Sequence, residues 1–175
     1  MIRALTPQDS DIYKKLRLLS LQTDPLAFLS TFEIESSYPP FYFRQKIASS
    51  LKAPAYGVYG FFDENTLQAT AQLADSYYHN KRHIAFLNEV YVNPEYRRKG
   101  IATKLVNYLI AKAKENPALE QLHLRANSGN RGAISFYEKL GFKRIAVLKD
   151  AVKNSDNSYQ DEHFYSLELK TKAVE

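Results

Sequence analysis

Val90-Tyr91-Val92-Asn93-Pro94-Glu95-Tyr96-Arg97-Arg98-Lys99-Gly100-Ile101-Ala102 is a stretch whose residue types and order suit anion binding. A β-branched strand enters a proline-marked turn, then a basic loop with one glycine, then an apolar helix. The N–H groups from about Arg98 to Ala102 have no partners within that helix, and its dipole adds partial positive charge at the same point. Such a junction binds phosphate. Gly100 permits close approach of backbone and ligand, while Arg97, Arg98 and Lys99 add charge. Taken alone, the stretch reads equally as a strand-to-helix loop with a solvated basic run. About thirty residues on, Asn130 to Phe142 supplies a second chemical segment. There Asn130 is a good N-cap, and Ala133, Tyr137 and Leu140 share one helix face.

The 175 residues suffice for one sizeable core and are few for two domains. Apolar residues at 45% and charged residues at 25% are ordinary for a globular protein. No apolar run approaches the roughly 18 residues that cross a bilayer, and the start shows no secretory pattern. Cysteine is absent, which excludes disulfides and thiolate chemistry. The expected location is the cytoplasm. A net charge of +5 favours anionic partners weakly. Without a long basic tract, a zinc-ligand spacing or an aromatic RNA-binding pattern, nucleic acid is not an expected partner.

The elements that must position these segments follow from periodicity. Ile2 to Leu5 reads as a strand, and Thr6-Pro7 opens a helix carrying Ile12, Leu16, Leu19 and Tyr13. A second helical region breaks at Pro39-Pro40 and resumes through Phe43, Ile47 and Leu51. Ala55 to Phe62 and Thr66 to Asp75 form a hairpin around Asp63-Glu64-Asn65. His83 to Val92 is a strand and Ile101 to Glu115 a helix, with Ile101, Leu105, Tyr108 and Leu109 on one stripe. Gln121 to Arg125 is a strand and Asn130 to Leu140 a helix closed by Gly141. Phe142 to Leu148 and Tyr159 to Leu169 are the last strands, with a polar turn around Asn154 to Ser158. The expected architecture is one mixed α/β domain over residues 1–170, with a frayed tail at 171–175. Its strand–helix–strand unit should be parallel.

Together the two segments resemble the GNAT N-acetyltransferase superfamily. Arg97-Arg98-Lys99-Gly100-Ile101-Ala102 is similar to the family's Arg/Gln-x-x-Gly-x-Gly/Ala loop. Asn130-Arg131-Gly132-Ala133-Ile134-Ser135-Phe136-Tyr137-Glu138-Lys139-Leu140-Gly141-Phe142 resembles its second signature. The likeness is close over Phe86 to Phe142, and the order of elements agrees over nearly the whole chain. Arg98 departs from it, standing where the family very often has glycine.

The resemblance implies a GNAT fold with a splayed parallel strand pair, and acetyl-CoA as the acetyl donor, with no metal. It implies that Arg97, Arg98, Lys99, Gly100, Ile101, Ala102 and Thr103 hold the pyrophosphate. It further implies that Val90, Tyr91 and Val92 receive pantetheine as an added strand, and that Asn130 contacts its arm. Asn130 serves equally as a cap. By the same resemblance Tyr137 would protonate the leaving thiolate; packing on its helix face is the competing role. Glu89 would take the amine proton. By strand alternation Glu89 shares a face with Leu87 and Tyr91, so its direction depends on whether the strand bulges; an exposed glutamate paired with a lysine is the other reading. His79, His83, Asp161 and His163 are alternative bases. Tyr38-Pro39-Pro40-Phe41-Tyr42-Phe43 and Tyr77-Tyr78 offer aromatic surface for the acceptor wall, although core or dimer packing would use most of them. The expected activity is direct acetyl transfer from acetyl-CoA to a primary amine of a small molecule or peptide, with a homodimer possible. A non-catalytic acyl-CoA sensor is the alternative.

Overall fold

The computed structural model of the protein describes residues 1–52, 55–154 and 156–170. The expected frayed tail at 171–175 lies outside the described residues, as does Ser155 of the polar turn. Seven strands form one mixed sheet in the order β1-β2-β3-β4-β5-β7-β6. They are β1 (Ile2–Ala4), β2 (Gly57–Asp63), β3 (Thr66–Asp75), β4 (Ile84–Val92), β5 (Gln121–Asn127), β6 (Lys143–Lys153) and β7 (Tyr159–Glu168). Neighbours pair antiparallel except β4 and β5, which are parallel, as a strand–helix–strand connection requires. β6 runs to Lys153, five residues beyond the expected end. Its long antiparallel pairing with β7 carries it past the apolar run that defined it in sequence.

Helix α4 (Ile101–Glu115) covers one face. It buries Ile101, Leu105, Leu109 and Ala113, together with Val106 and Ile110. Tyr108 is only partly buried and lies 5.9 Å from the Tyr59 ring, so the stripe is centred slightly away from it. The first core cluster joins this helix to Leu73, Ala85, Leu87, Leu122 and Leu124. Helices α1 (Ser10–Thr23), α2 (Phe32–Ser36) and α3 (Pro40–Ser50) cover the other face. There Tyr13, Leu16, Phe43, Ile47, Val58 and Tyr91 form a second cluster. Fully burying one Leu or Phe is worth about 1.5–3 kcal/mol, so two such layers clamp the sheet firmly. The apolar face of α1 is centred on Tyr13, Leu16, Arg17, Ser20 and Leu21, which are buried, while Ile12 and Leu19 are partly buried and pack at its margins. Arg17 and Ser20 point inward because each finds a polar partner there.

Helix α5 (Arg131–Lys139) stops where Gly141 takes φ +93°, a conformation costly for residues with a Cβ. The N–H groups of Gly141 and Phe142 then donate to Glu138 and Tyr137 carbonyls at 3.0 and 3.1 Å. This reversal fixes the C-terminal turn of the helix that carries Tyr137.

Candidate active site

Two features of β4 build the site. First, β4 pairs with β5 only over Ile84–Phe86 against Gln121–His123. Beyond Phe86 the parallel pairing ceases and one backbone edge of β4 faces a cleft. Asn93 N–H donates to the Gln68 carbonyl of the β3 segment, whereas the Val92 carbonyl accepts from Arg97 Nε at 2.9 Å. At this end of the strand Tyr91 and Asn93 thus turn their backbone towards β3, and Val90 and Val92 turn theirs towards the cleft. The Val92 carbonyl is already engaged by Arg97, which leaves its N–H for a ligand.

The second feature is a bulge. Asn88 pairs with Gln72 and Tyr91 with Thr70, so two β4 residues oppose Ala71 alone. Glu89 absorbs the extra residue at φ +53°. Before the bulge, Ala85 and Leu87 face α4; after it, Tyr91 packs with Tyr13 and Phe43 on the opposite face. Strict alternation would put Leu87, Glu89 and Tyr91 together. Instead Glu89 turns with Tyr91 towards α1 and α3.

There Glu89 Oε1 lies 2.6 Å from Lys46 Nζ and 3.8 Å from an Arg17 nitrogen, and Oε2 accepts from the Tyr13 hydroxyl at 3.1 Å. Burial works to raise its pKa, but the Lys46 and Arg17 charges and both hydrogen bonds outweigh that. The carboxylate is held below the ordinary glutamate value. Behind it, Arg17 grips Glu35 through two hydrogen bonds of 2.9 and 2.5 Å, with both side chains almost wholly buried. The lysine partner of Glu89 is present, yet the carboxylate is only 22% exposed and faces a cavity rather than solvent.

A cavity of about 360 Å³ runs from the basic loop to Tyr137. Val90, Tyr91, Val92, Arg97, Arg98, Gly100, Ile101, Ala102, Thr103, Asn130 and Tyr137 all line it. Lys99 does not; its ammonium sits 5.3 Å from the Tyr96 ring centre. Gly100 caps α4 at φ +74°, and a Cβ there would meet nothing within 4 Å. The first helical N–H groups are therefore uncovered, which suits a diphosphate. Arg98 adopts φ +63°, an uncommon conformation for a residue with a side chain. That explains why glycine suits its place. Arg97 is engaged within the cavity wall: it bonds the Val92 carbonyl and pairs with Asp24 at 2.5 Å. It braces the loop against the end of α1, where Thr23 also bonds Asp24 and the Tyr91 hydroxyl, each at 2.8 Å.

Asn130 caps α5, accepting from the Ala133 N–H at 3.1 Å, and its side chain still lines the cleft. Tyr137 is 9% exposed, and burial pushes its hydroxyl pKa well up, so it stays protonated at neutral pH. A second cavity of about 630 Å³ holds Glu89, Lys46, Arg17, Tyr38, Tyr42 and Asn127. Val90, Asn130, Ala133, Tyr137 and Phe28 line both cavities, so the two meet beside Tyr137.

The alternative bases are elsewhere. Asp161 pairs with Lys149 at 2.7 Å, and His79, His83 and His163 line neither cavity. Of the aromatic candidates, Tyr38 and Tyr42 reach the second cavity and Phe43 is core, while Phe41, Tyr77 and Tyr78 are exposed. Sequence reasoning missed Lys46, Arg17, Asp24 and Phe28. The only available signal was the four-residue spacing of Tyr13 and Arg17, which puts both on one face of α1.

Comparison with known proteins identifies the fold and the family. The model of the acetyltransferase (GNAT) family matches residues 19–142. An N-alpha-acetyltransferase of Saccharolobus solfataricus is 40% identical over 65 residues, which is 37% of this chain and 39% of that protein. The chain thus spans about two fifths of the length of the curated relatives it matches. A GNAT-family acetyltransferase from Streptococcus pneumoniae superposes with TM-score 0.84 at 17% identity, over 97% of this chain and 99% of that one. A phosphinothricin acetyltransferase from Sinorhizobium meliloti, solved with acetyl-CoA, gives TM-score 0.83 at 17% identity, over 100% and 93%. Those two likenesses establish the fold, and the family model, covering well over half of the sequence, establishes that the chain belongs to the acetyltransferase (GNAT) family.

Proposed function

We propose that the protein is an acetyl-CoA-dependent N-acetyltransferase acting on a primary amine of a small molecule or peptide. The observation that carries this reading is the meeting of two cavities at Tyr137, one reaching bare helix N–H groups and the other a carboxylate. The diphosphate would sit on the Arg98–Thr103 backbone. The pantetheine amides would bond the free edge of β4 at Val90 and the Val92 N–H, placing the thioester where the cavities join.

The amine enters through the second cavity. Glu89, ionised at neutral pH, attracts the incoming ammonium. A carboxylate of lowered pKa is a weak base towards a free ammonium of pKa near 10. The ammonium therefore loses its first proton to solvent, and Glu89 accepts the second as the N–C bond forms, because the nitrogen becomes far more acidic at that stage. The nitrogen attacks the thioester carbonyl carbon and the C–S bond breaks. Tyr137, protonated because it is buried, gives its proton to the leaving sulfur. No cysteine is present to carry an acetyl group, which favours direct attack.

Calorimetric titration with acetyl-CoA, followed by thiol release with a panel of primary amines and short peptides, tests the proposal. Binding with amine-dependent thiol release is expected. Binding without release for any amine would favour the sensor reading.

A further inference from the structure

One primary amine already occupies the acceptor cavity. Lys46 Nζ lies 2.6 Å from Glu89 Oε1, in the cavity that opens on Tyr137 and Val90. It stands where the proposed reaction would hold a substrate ammonium. We propose that Lys46 is a self-modification site, acetylated by the protein from bound acetyl-CoA when no other amine fills the cavity. This inference rests on the acetyl-transfer reading.

The geometry provides each requirement. The Lys46 side chain is 18% exposed, enough to move within a cavity of about 630 Å³. Its four-carbon stem rotates freely enough to swing from Glu89 towards the junction of the cavities. One Nζ proton is lost to water, the freed lone pair attacks the thioester carbonyl carbon, and Glu89 accepts a second Nζ proton as the bond forms, later returning it to solvent. An N–C amide bond forms, the C–S bond breaks, and the thiolate leaves with the Tyr137 proton. The products are acetyl-lysine and CoA, with no other reactant needed. Once neutral, Lys46 no longer pairs with Glu89, whose remaining cation is Arg17 at 3.8 Å. An acceptor ammonium then meets a less compensated carboxylate.

Accessibility separates this route from chemical acetylation. Lys149 is 79% exposed, so random acetylation should favour it over Lys46. The experiment incubates the full chain with acetyl-CoA alone and follows peptide masses and thiol release. We expect Lys46 to be labelled about tenfold or more faster than Lys149, with one equivalent of thiol released at a rate that dilution does not change. Tyr137→Phe should slow the labelling by about 10²–10⁴-fold, the range for loss of a general acid. Lys46→Arg, which keeps a cation against Glu89, should abolish the one-equivalent burst.

Preferential labelling of Lys46 that disappears on heat unfolding would support the proposal. Labelling that follows exposure, or that persists in Tyr137→Phe, would overturn it. So would an unlabelled Lys46 in a preparation that acetylates added amines, which leaves the transferase reading intact. A preparation that neither binds acetyl-CoA nor acetylates any amine would remove both.

Discussion

The two cavities that meet at Tyr137 are built from different materials. The first follows backbone features, the free edge of β4, the left-handed Arg98 and Gly100 and the start of α4, with Phe28, Phe136 and Tyr137 among its side-chain lining. The second is made of side chains delivered from α1, α2, α3 and the β4 bulge. A backbone site tolerates many side chains and binds one constant chemical group. A side-chain site depends on a few long polar residues, held in place by one another, and so can specialise. In this molecule Arg97 and Asp24, on the wall of the first cavity, tie the basic loop to the end of α1.

If the junction is where the two substrates react, its tyrosine should affect turnover and little else. Tyr137→Phe keeps the ring that packs 5.9 Å from Phe142 and removes only the hydroxyl. We expect kcat to fall by about 10²–10⁴ with acetyl-CoA affinity nearly unchanged, measured by thiol release and calorimetry. A variant with full activity would reduce Tyr137 to packing. Its companion is the acid limb of the rate. Because Glu89 is held below the ordinary glutamate value, activity corrected for the neutral fraction of the amine should persist to lower pH than a free glutamate would allow. Its contribution to stability is present above the unfolded glutamate pKa of about 4.3, and is lost as pH falls through the lower native value. A pH–rate profile with an acid limb near 6–7 would contradict the ion-pair assignment.

The second cavity should also be the more fragile. Arg17→Met leaves Glu35 buried without its partner, and breaking a buried pair in this way costs about 3–5 kcal/mol. Urea unfolding should register that loss, with the acceptor KM raised in whatever protein remains folded. A midpoint close to the parent's would mean that Glu35 finds water or protonates at little cost.

The same contrast decides what the sequence revealed. The loop at Arg97–Ala102, the cap at Asn130 and the stop at Gly141 are local devices, in which residue type and backbone conformation lie within a few positions. They were legible together with the parallel strand pair. The direction of Glu89 was not. A bulge shifts the alternation of β4 by one residue, and a glutamate at positive φ carries no mark of it in the chain. Lys46 and Arg17 were hidden for a related reason. Each sits on an amphipathic helix as an ordinary cation, and only the packing of α1 and α3 onto one face of the sheet brings them to the same carboxylate.

The first cavity can be probed through its glycine. At φ +74° Gly100 uses a conformation that costs a residue with a Cβ about 1–2 kcal/mol. Gly100→Ala should lose that in stability, and acetyl-CoA binding should weaken as the methyl enters the open space before the helix N–H groups. Unchanged affinity by calorimetry would move the diphosphate elsewhere.

The smallest effect separates backbone from charge within the same loop. Arg98→Gly relieves the strain of a side chain at φ +63°, but glycine also loses more freedom on folding. These terms oppose each other, so stability should change by less than about 1 kcal/mol. Acetyl-CoA affinity then reports the charge alone. An exposed cation near a phosphate acts through a screened interaction, so the loss should be a few-fold at low salt and vanish at high salt. A large loss that salt does not reduce would mean that the Arg98 guanidinium grips the ligand directly, and that the first cavity is less purely backbone than its geometry indicates.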